Sequence, residues 1–127
     1  MKKQYGDKAS ELFDISDYLT SKSLTVSDID SVVFMVKSCK TDEDADALFN
    51  KTLVDSIQVI EDLVIGLVTY PAVVSVPFED ADYGEGLLEI GPRYVIGLGY
   101  KTLTDTKNVE IDLEDHVLQI TQDIMRD

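Results

Sequence analysis

The chain has 127 residues, the size of one domain and enough to bury a core without disulfides or metal. Its 25 acidic and 11 basic residues give a net charge of −14, which argues against neutralising nucleic-acid phosphates or binding anionic membrane surfaces. No stretch is long and apolar enough to span a bilayer, and the single cysteine, Cys39, allows no internal disulfide and fits a reducing compartment.

Residues 1–9 are polar and read as a flexible N-terminal arm; two lysines without an apolar run behind them do not make a signal peptide. Residues 10–127 read as one β-sandwich domain. In "SELFDISDYL" apolar and polar residues alternate, which predicts a short first strand, and "SDYLTSK" is a candidate helical turn. "SVVFMVKS", 31–38, is β-branched and aromatic without Gly or Pro, and predicts a central strand. "LFNKTLVD", "SIQVIED" and "LVIGLVTY" follow. Gly66 marks a bulge or close backbone approach, and Pro71 ends or bends its segment before "AVVSVPF" resumes. The span from Val54 to Val76 therefore holds two strands or three. "EDADYGEGLLEIGP" is a long turn region. "RYVIGLGYKT" is a strand with Tyr94, Ile96, Leu98 and Tyr100 on one face and Val95, Gly97, Gly99 and Lys101 on the other. "VEIDL" alternates Val109, Ile111 and Leu113 inward with Glu110 and Asp112 outward, and "HVLQITQDIM" closes the chain with Leu118, Ile120 and Ile124 on one face.

Turn signals recur roughly every 8–12 residues, and no long stretch has a 3.6-residue period. The expectation is all-β: one antiparallel, Ig-like β-sandwich of about seven or eight strands with one or two short helical turns.

The acidic run Asp42-Glu43-Asp44-Ala45-Asp46 is the chain's candidate for a metal loop, through Asp42, Asp44 and Asp46. An EF-hand needs Gly at its sixth position and Glu at its twelfth; here these are Ala47 and Leu53, so that motif is excluded. The expected role is mechanical: Thr41 or Asp42 caps a short helical turn, "DEDADALF", in a crossover between two strands.

The search for chemistry returns little. His116 is the single histidine, beside Glu114 and Asp115, and reads as a surface residue. No G-x-S-x-G elbow is present, and one His and one Cys cannot build a zinc site. A hydrolase using paired acids would need carboxylates that converge in a pocket. Gly97-Leu98-Gly99 lacks the third glycine of a dinucleotide loop, and its small residues admit a neighbouring side chain or another chain. Tyr83, Tyr94 and Tyr100 are candidates for an aromatic cluster. No catalytic residue, cofactor or enzymatic activity is expected.

The pieces also have a familiar order. "IDSVVFMVKS" is followed by "DADALFNKTL" and "SIQVIED", then by "DYGEGLLEIGPRYVIGLGYKT", an acidic hairpin and "VLQITQDIMR". This resembles the small β-sandwich domains of tailed-phage virion proteins, including the N-terminal domains of baseplate-upper-protein-like and tail-fibre-associated proteins. The matching positions are Val36-Lys37, Asp44 to Lys51, Gly91 to Tyr94 and Ile120 to Arg126, roughly residues 10–126. Larger members carry a second domain after the sandwich, which this sequence lacks; the resemblance thus implies a free-standing or accessory component. It implies a non-enzymatic tail, baseplate or neck protein, made in the host bacterial cytoplasm and residing in the virion. Its partners would be other virion proteins and itself as a homo-oligomer, without nucleic acid or membrane. The alternative is a carbohydrate- or calcium-binding module using the loops at Asp42–Asp46 and Glu79–Glu85.

Overall fold

The computed structural model describes residues 1–39 and 47–122. The candidate metal residues Asp42, Asp44 and Asp46, the helical turn expected beside them and Ile124 lie outside these described residues.

Nine described strands form two sheets, two more than the lower figure expected from the turn spacing. The larger sheet has the order β1 (Lys2–Gln4), β9 (Val117–Thr121), β7 (Arg93–Lys101), β3 (Ser31–Lys37), β4 (Phe49–Thr52), with β8 (Val109–Ile111) also on β7. The smaller has the order β2 (Glu11–Asp14), β6 (Val68–Val76), β5 (Gln58–Ile65). The sheets bury their facing residues against each other, as an all-β sandwich requires. From the larger sheet come Val32, Phe34, Val36, Ile96, Leu98 and Leu118, and from the smaller Val74 and Val76, all almost fully buried. Phe34 bridges the layers, with ring centroids 5.8 Å from Phe13 and 6.0 Å from Phe78. Among the described residues one short α-helix, α1 (Ser16–Ser21), follows β2, where the sequence places a helical turn.

The N-terminal arm differs from the reading as a loose tail. Lys2–Gln4 pair in parallel with Gln119–Thr121 and edge the larger sheet. Lys3 is buried: its ammonium bonds to the Ala9 carbonyl (2.8 Å) and Glu11 (3.1 Å), pairs with Asp7 (3.4 Å), and lies 4.5 Å from the Phe78 ring centroid. A paired lysine with its stem on an aromatic ring is compatible with burial, although it reads as polar in sequence.

The span from Val54 to Val76 holds two strands. β5 and β6 form a hairpin with Ile65 opposite Val68, so Gly66 and Leu67 make a two-residue turn. Gly66 has φ +62° and Leu67 is not in the left-handed region, the pattern of a type II′ turn. Gly66 is thus the turn itself and not a bulge. Pro71 neither ends nor interrupts β6. It lies across from Asp62, whose positive φ of 53° distorts the edge strand where a ladder donor is missing.

Much of the acidity is absorbed by turns. The Asp28, Asp55, Asp82 and Asp105 carboxylates accept from the backbone N–H three residues earlier, at Thr25, Thr52, Glu79 and Thr102, over 2.8–3.0 Å. Asp7, Asp14 and Asp115 accept from the N–H two residues later, at Ala9, Ser16 and Val117. Seven aspartates therefore close local turns, because a short carboxylate satisfies donors that a strand end leaves open.

Candidate functional site

Two surface features stand out, one a projection and one a recess. The projection is the end of the β5–β6 hairpin. Its inner half is core, with Ala72, Val73 and Val74 buried. Its outer half is apolar and exposed: Val64 is 62 % accessible, Ile65 49 %, Leu67 105 % and Val68 52 %. No charged residue occurs from Leu63 to Tyr70 in a chain of net charge −14. The run "LVIGLVTY" has little polar content, yet in the fold its Val64, Ile65, Leu67 and Val68 stay exposed.

Other exposed apolar residues leave the larger sheet at one end. Leu103 follows Lys101, which pairs with Ser31 at the start of β3; Val54 follows Thr52, which pairs with Val33. Leu103 is 86 % and Val54 94 % accessible. The turn of 3₁₀ helix at Val26–Asp28, which leads into that end of β3, packs on β5.

The recess is a groove of about 550 Å³ on the outer face of the larger sheet. One wall is Val33, Met35 and Lys37 of β3; the floor is Val95, Gly97 and Gly99 of β7; the other wall is Asn108, Glu110, Asp112 and His116. The face division expected for β7 is observed, with Tyr94, Ile96, Leu98 and Tyr100 turned to the core. A Cβ on Gly97 would meet nothing within 4 Å, so the floor is open there. A Cβ on Gly99 would come 3.3 Å from Val33 Cγ1 and 3.4 Å from Asn108 Cβ, so that glycine lets neighbouring strands close in.

The second wall comes from a break in pairing. β7 pairs with β8 through Leu98 and Ile111, and with β9 through Tyr94 and Leu118. These registers differ by three residues, so the chain between β8 and β9 bulges opposite Ile96 and Gly97. The Ile96 N–H donates to the His116 carbonyl (2.8 Å), and His116 Nδ1 lies 3.3 Å from the Ile96 carbonyl oxygen. Bulges re-aim side chains in this way. His116, which reads as a lone surface histidine, is half-buried in the groove wall beside Glu110 and Asp112.

Among the described residues the imidazole's hydrogen-bond partner is the Ile96 carbonyl, and no hydrogen bond joins His116 to Glu110 or Asp112. Among those residues no group of three or more His, Cys, Asp or Glu could hold a metal ion.

The Glu79–Glu85 loop is tied inward. Asp82 accepts from the Lys51 ammonium at 2.6 Å, which also donates to the Pro77 carbonyl (2.7 Å), and Asp80 pairs with Lys8 at 3.2 Å. The tyrosines expected to cluster are instead distributed. Tyr83 lies tilted against Tyr5 (5.2 Å between centroids) and Tyr100 edge-on to Tyr18 of α1 (5.7 Å), while the Tyr94 hydroxyl donates to the Leu87 carbonyl and accepts from the Glu89 N–H. Each has its own separate partners.

Compared with protein-family models, curated proteins and solved structures, the chain finds no match.

Proposed function

We propose that this chain is a non-enzymatic assembly protein, a β-sandwich that works by docking other protein chains through its apolar end. The observation that carries this reading is the hairpin of residues 63–70, uncharged and exposed at its tip in an otherwise strongly acidic chain. Contiguous exposed apolar surface costs solubility, and its usual use is contact with another protein. Leu103 and Val54 are further exposed apolar residues, at the end of the larger sheet from which β3 starts. The virion setting, as a tail, baseplate or neck component of a tailed phage, rests on motif order in the sequence alone.

The test is co-expression of the chain with the products of the genes flanking its own, followed by light scattering on the purified material. The expected result is a complex, of the chain with itself or with a neighbour, that Leu67→Asp disrupts while the melting temperature is kept. A chain that stays monomeric alone and beside every neighbour, or complexes indifferent to Leu67→Asp, would remove the proposal.

A further inference from the structure

Lys3 is the buried charge of β1, and the groups that match it titrate. Its side chain is fully buried. Its ammonium donates to the Ala9 carbonyl and to Glu11, and pairs with Asp7. The two carboxylates reach water, with side chains 38 % exposed at Asp7 and 28 % at Glu11, so each can take up a proton while the fold stays closed. The other surroundings of Lys3 offer no replacement. The Phe78 ring lies against it, and Lys51, 5.3 Å from the centroid of the same ring, is matched by Asp82. Gln119, Ile120 and Thr121, the β9 residues in register with β1, carry no charge. With Asp7 and Glu11 protonated, the ammonium keeps one carbonyl in a site without water, which a buried charge does not tolerate.

The strand that carries Lys3 can leave without the rest of the fold. β1 has three residues and pairs in parallel with β9 at the edge of the larger sheet. The chain behind it is pinned at Asp7, whose carbonyl accepts from the Tyr83 hydroxyl at 2.6 Å. Between strand and pin lies Gly6, with φ +80° and nothing within 4 Å of the place a Cβ would take. That residue serves as a hinge. At the start of the strand the Met1 amine pairs with Asp115, which is exposed, so solvent screens that contact.

We propose that β1 is an acid-released strap: when Asp7 and Glu11 take up protons, residues 1–5 swing away about Gly6 and open the edge of β9 while the sandwich stays folded. The inference is independent of the reading of the β5–β6 hairpin. Release frees the Gln119 N–H, which donates to the Met1 carbonyl at 3.0 Å, and the Thr121 carbonyl, which accepts from the Tyr5 N–H at 2.9 Å. A strand edge with such groups unpaired is a template for another strand. The direction in pH follows from Asp7. The Ala9 N–H first, and also the Lys3 charge, hold its carboxyl below the ordinary value against the opposing effect of burial. A carboxyl lowered in the folded chain stabilises it above the unfolded value, and that contribution is lost as pH falls through the folded one.

The experiment is amide hydrogen exchange by NMR on the full chain, from about pH 7 to about pH 3, with each rate corrected for its intrinsic pH dependence. The Tyr5 and Gln119 amides report the strap, and the amides of β3 and β7 report the sandwich. On acidification the two strap amides are expected to lose protection about tenfold or more while the sandwich amides keep theirs. Lys3→Met removes the charge and leaves an unbranched apolar side chain on Phe78, so its strap amides should stay protected at about pH 3. Asp7→Asn combined with Glu11→Gln imitates the protonated pair and should release the strap at about pH 7.

Strap and sandwich amides that lose protection together would overturn the inference, since the acid effect would then be global unfolding. So would a Lys3→Met chain whose strap opens in acid as the wild type does. If that variant does not fold, the double variant decides alone: full protection of Tyr5 and Gln119 at about pH 7 would overturn the inference as well.

Discussion

The Lys51 ammonium sits 2.6 Å from an Asp82 carboxylate oxygen, with both side chains largely buried, and 5.3 Å from the centroid of the Phe78 ring. Lys3 reaches the same ring from β1 at 4.5 Å. One buried phenyl ring thus links the strand at each edge of the larger sheet, β1 and β4, to the loop that leaves β6.

Removing one partner of a buried pair leaves the other charge unmatched. Asp82→Ala would strand the Lys51 ammonium against one carbonyl and also uncap the turn at Glu79. The expected loss is about 3 kcal/mol in urea unfolding. Lys51→Met leaves Asp82 with the Glu79 N–H and is expected to cost less. The double variant should cost less than the two singles together by about 1 kcal/mol or more. Strictly additive costs would show the ion pair to be incidental.

The turn caps offer a graded test. Asp55 and Asp105 accept from the Thr52 and Thr102 N–H at 3.0 Å and 2.9 Å, and neither pairs with a cation among the described residues. Asp55→Ala and Asp105→Ala should each cost about 1 kcal/mol, with Asn at either position recovering part of it. Effects near zero in thermal melts would mean that solvent satisfies these donors equally well.

These caps also show what the sequence concealed. These turns carry the pattern Thr-x-x-Asp at 25, 52 and 102 and Glu-x-x-Asp at 79, each within three residues of a strand. It is legible as turn chemistry, whereas the acidic run at Asp42–Asp46 points to a metal loop. β3 is plain as a β-branched and aromatic run without Gly or Pro, and β7 as a strand with two unlike faces, one of which packs the core. β1 was hidden because Lys3 is polar by type and buried by its partners, a long-range fact. The apolar hairpin tip was hidden for the opposite reason: pattern gives pairing but not whether a second layer covers the face. The groove was half-visible in Gly97 and Gly99, and its other wall depended on a three-residue register slip that no local signal announces.

Gly97 and Gly99 should separate cleanly. Alanine at 97 meets open space and relieves the unfolded-state freedom of glycine, so Gly97→Ala should stabilise by about 0.5 kcal/mol. At 99 the new methyl presses on Val33, a β-branched side chain stiff at χ1, and on Asn108 and the Val109 carbonyl where β8 begins. Gly99→Ala should therefore fall at least about 1 kcal/mol below Gly97→Ala in denaturant unfolding. Equal stabilities would mean that the β8 edge yields freely.

Alkaline pH should destabilise the chain through the phenols of Tyr83, which is buried, and Tyr18, which is half-buried. The Tyr83 hydroxyl donates to the Asp7 carbonyl at 2.6 Å. Burial first, then the carboxylates of Asp7, Asp82 and Glu11, raise its pKa well above the usual 10. Tyr18 is raised as well, by burial and then by the Tyr100 hydroxyl. Below about pH 10 both folded and unfolded chains hold these protons, and the contribution to stability is complete. Above it the unfolded chain ionises while the folded chain does not, so stability is lost as pH climbs toward the folded value, by up to about 1.4 kcal/mol per pH unit for each tyrosine. Tyr83→Phe should cost about 1 kcal/mol at about pH 8 through the lost hydrogen bond, and then decline less steeply. Urea midpoints of the two proteins from about pH 8 to about pH 11 should converge; parallel curves would mean that the Tyr83 phenol ionises as readily folded as unfolded.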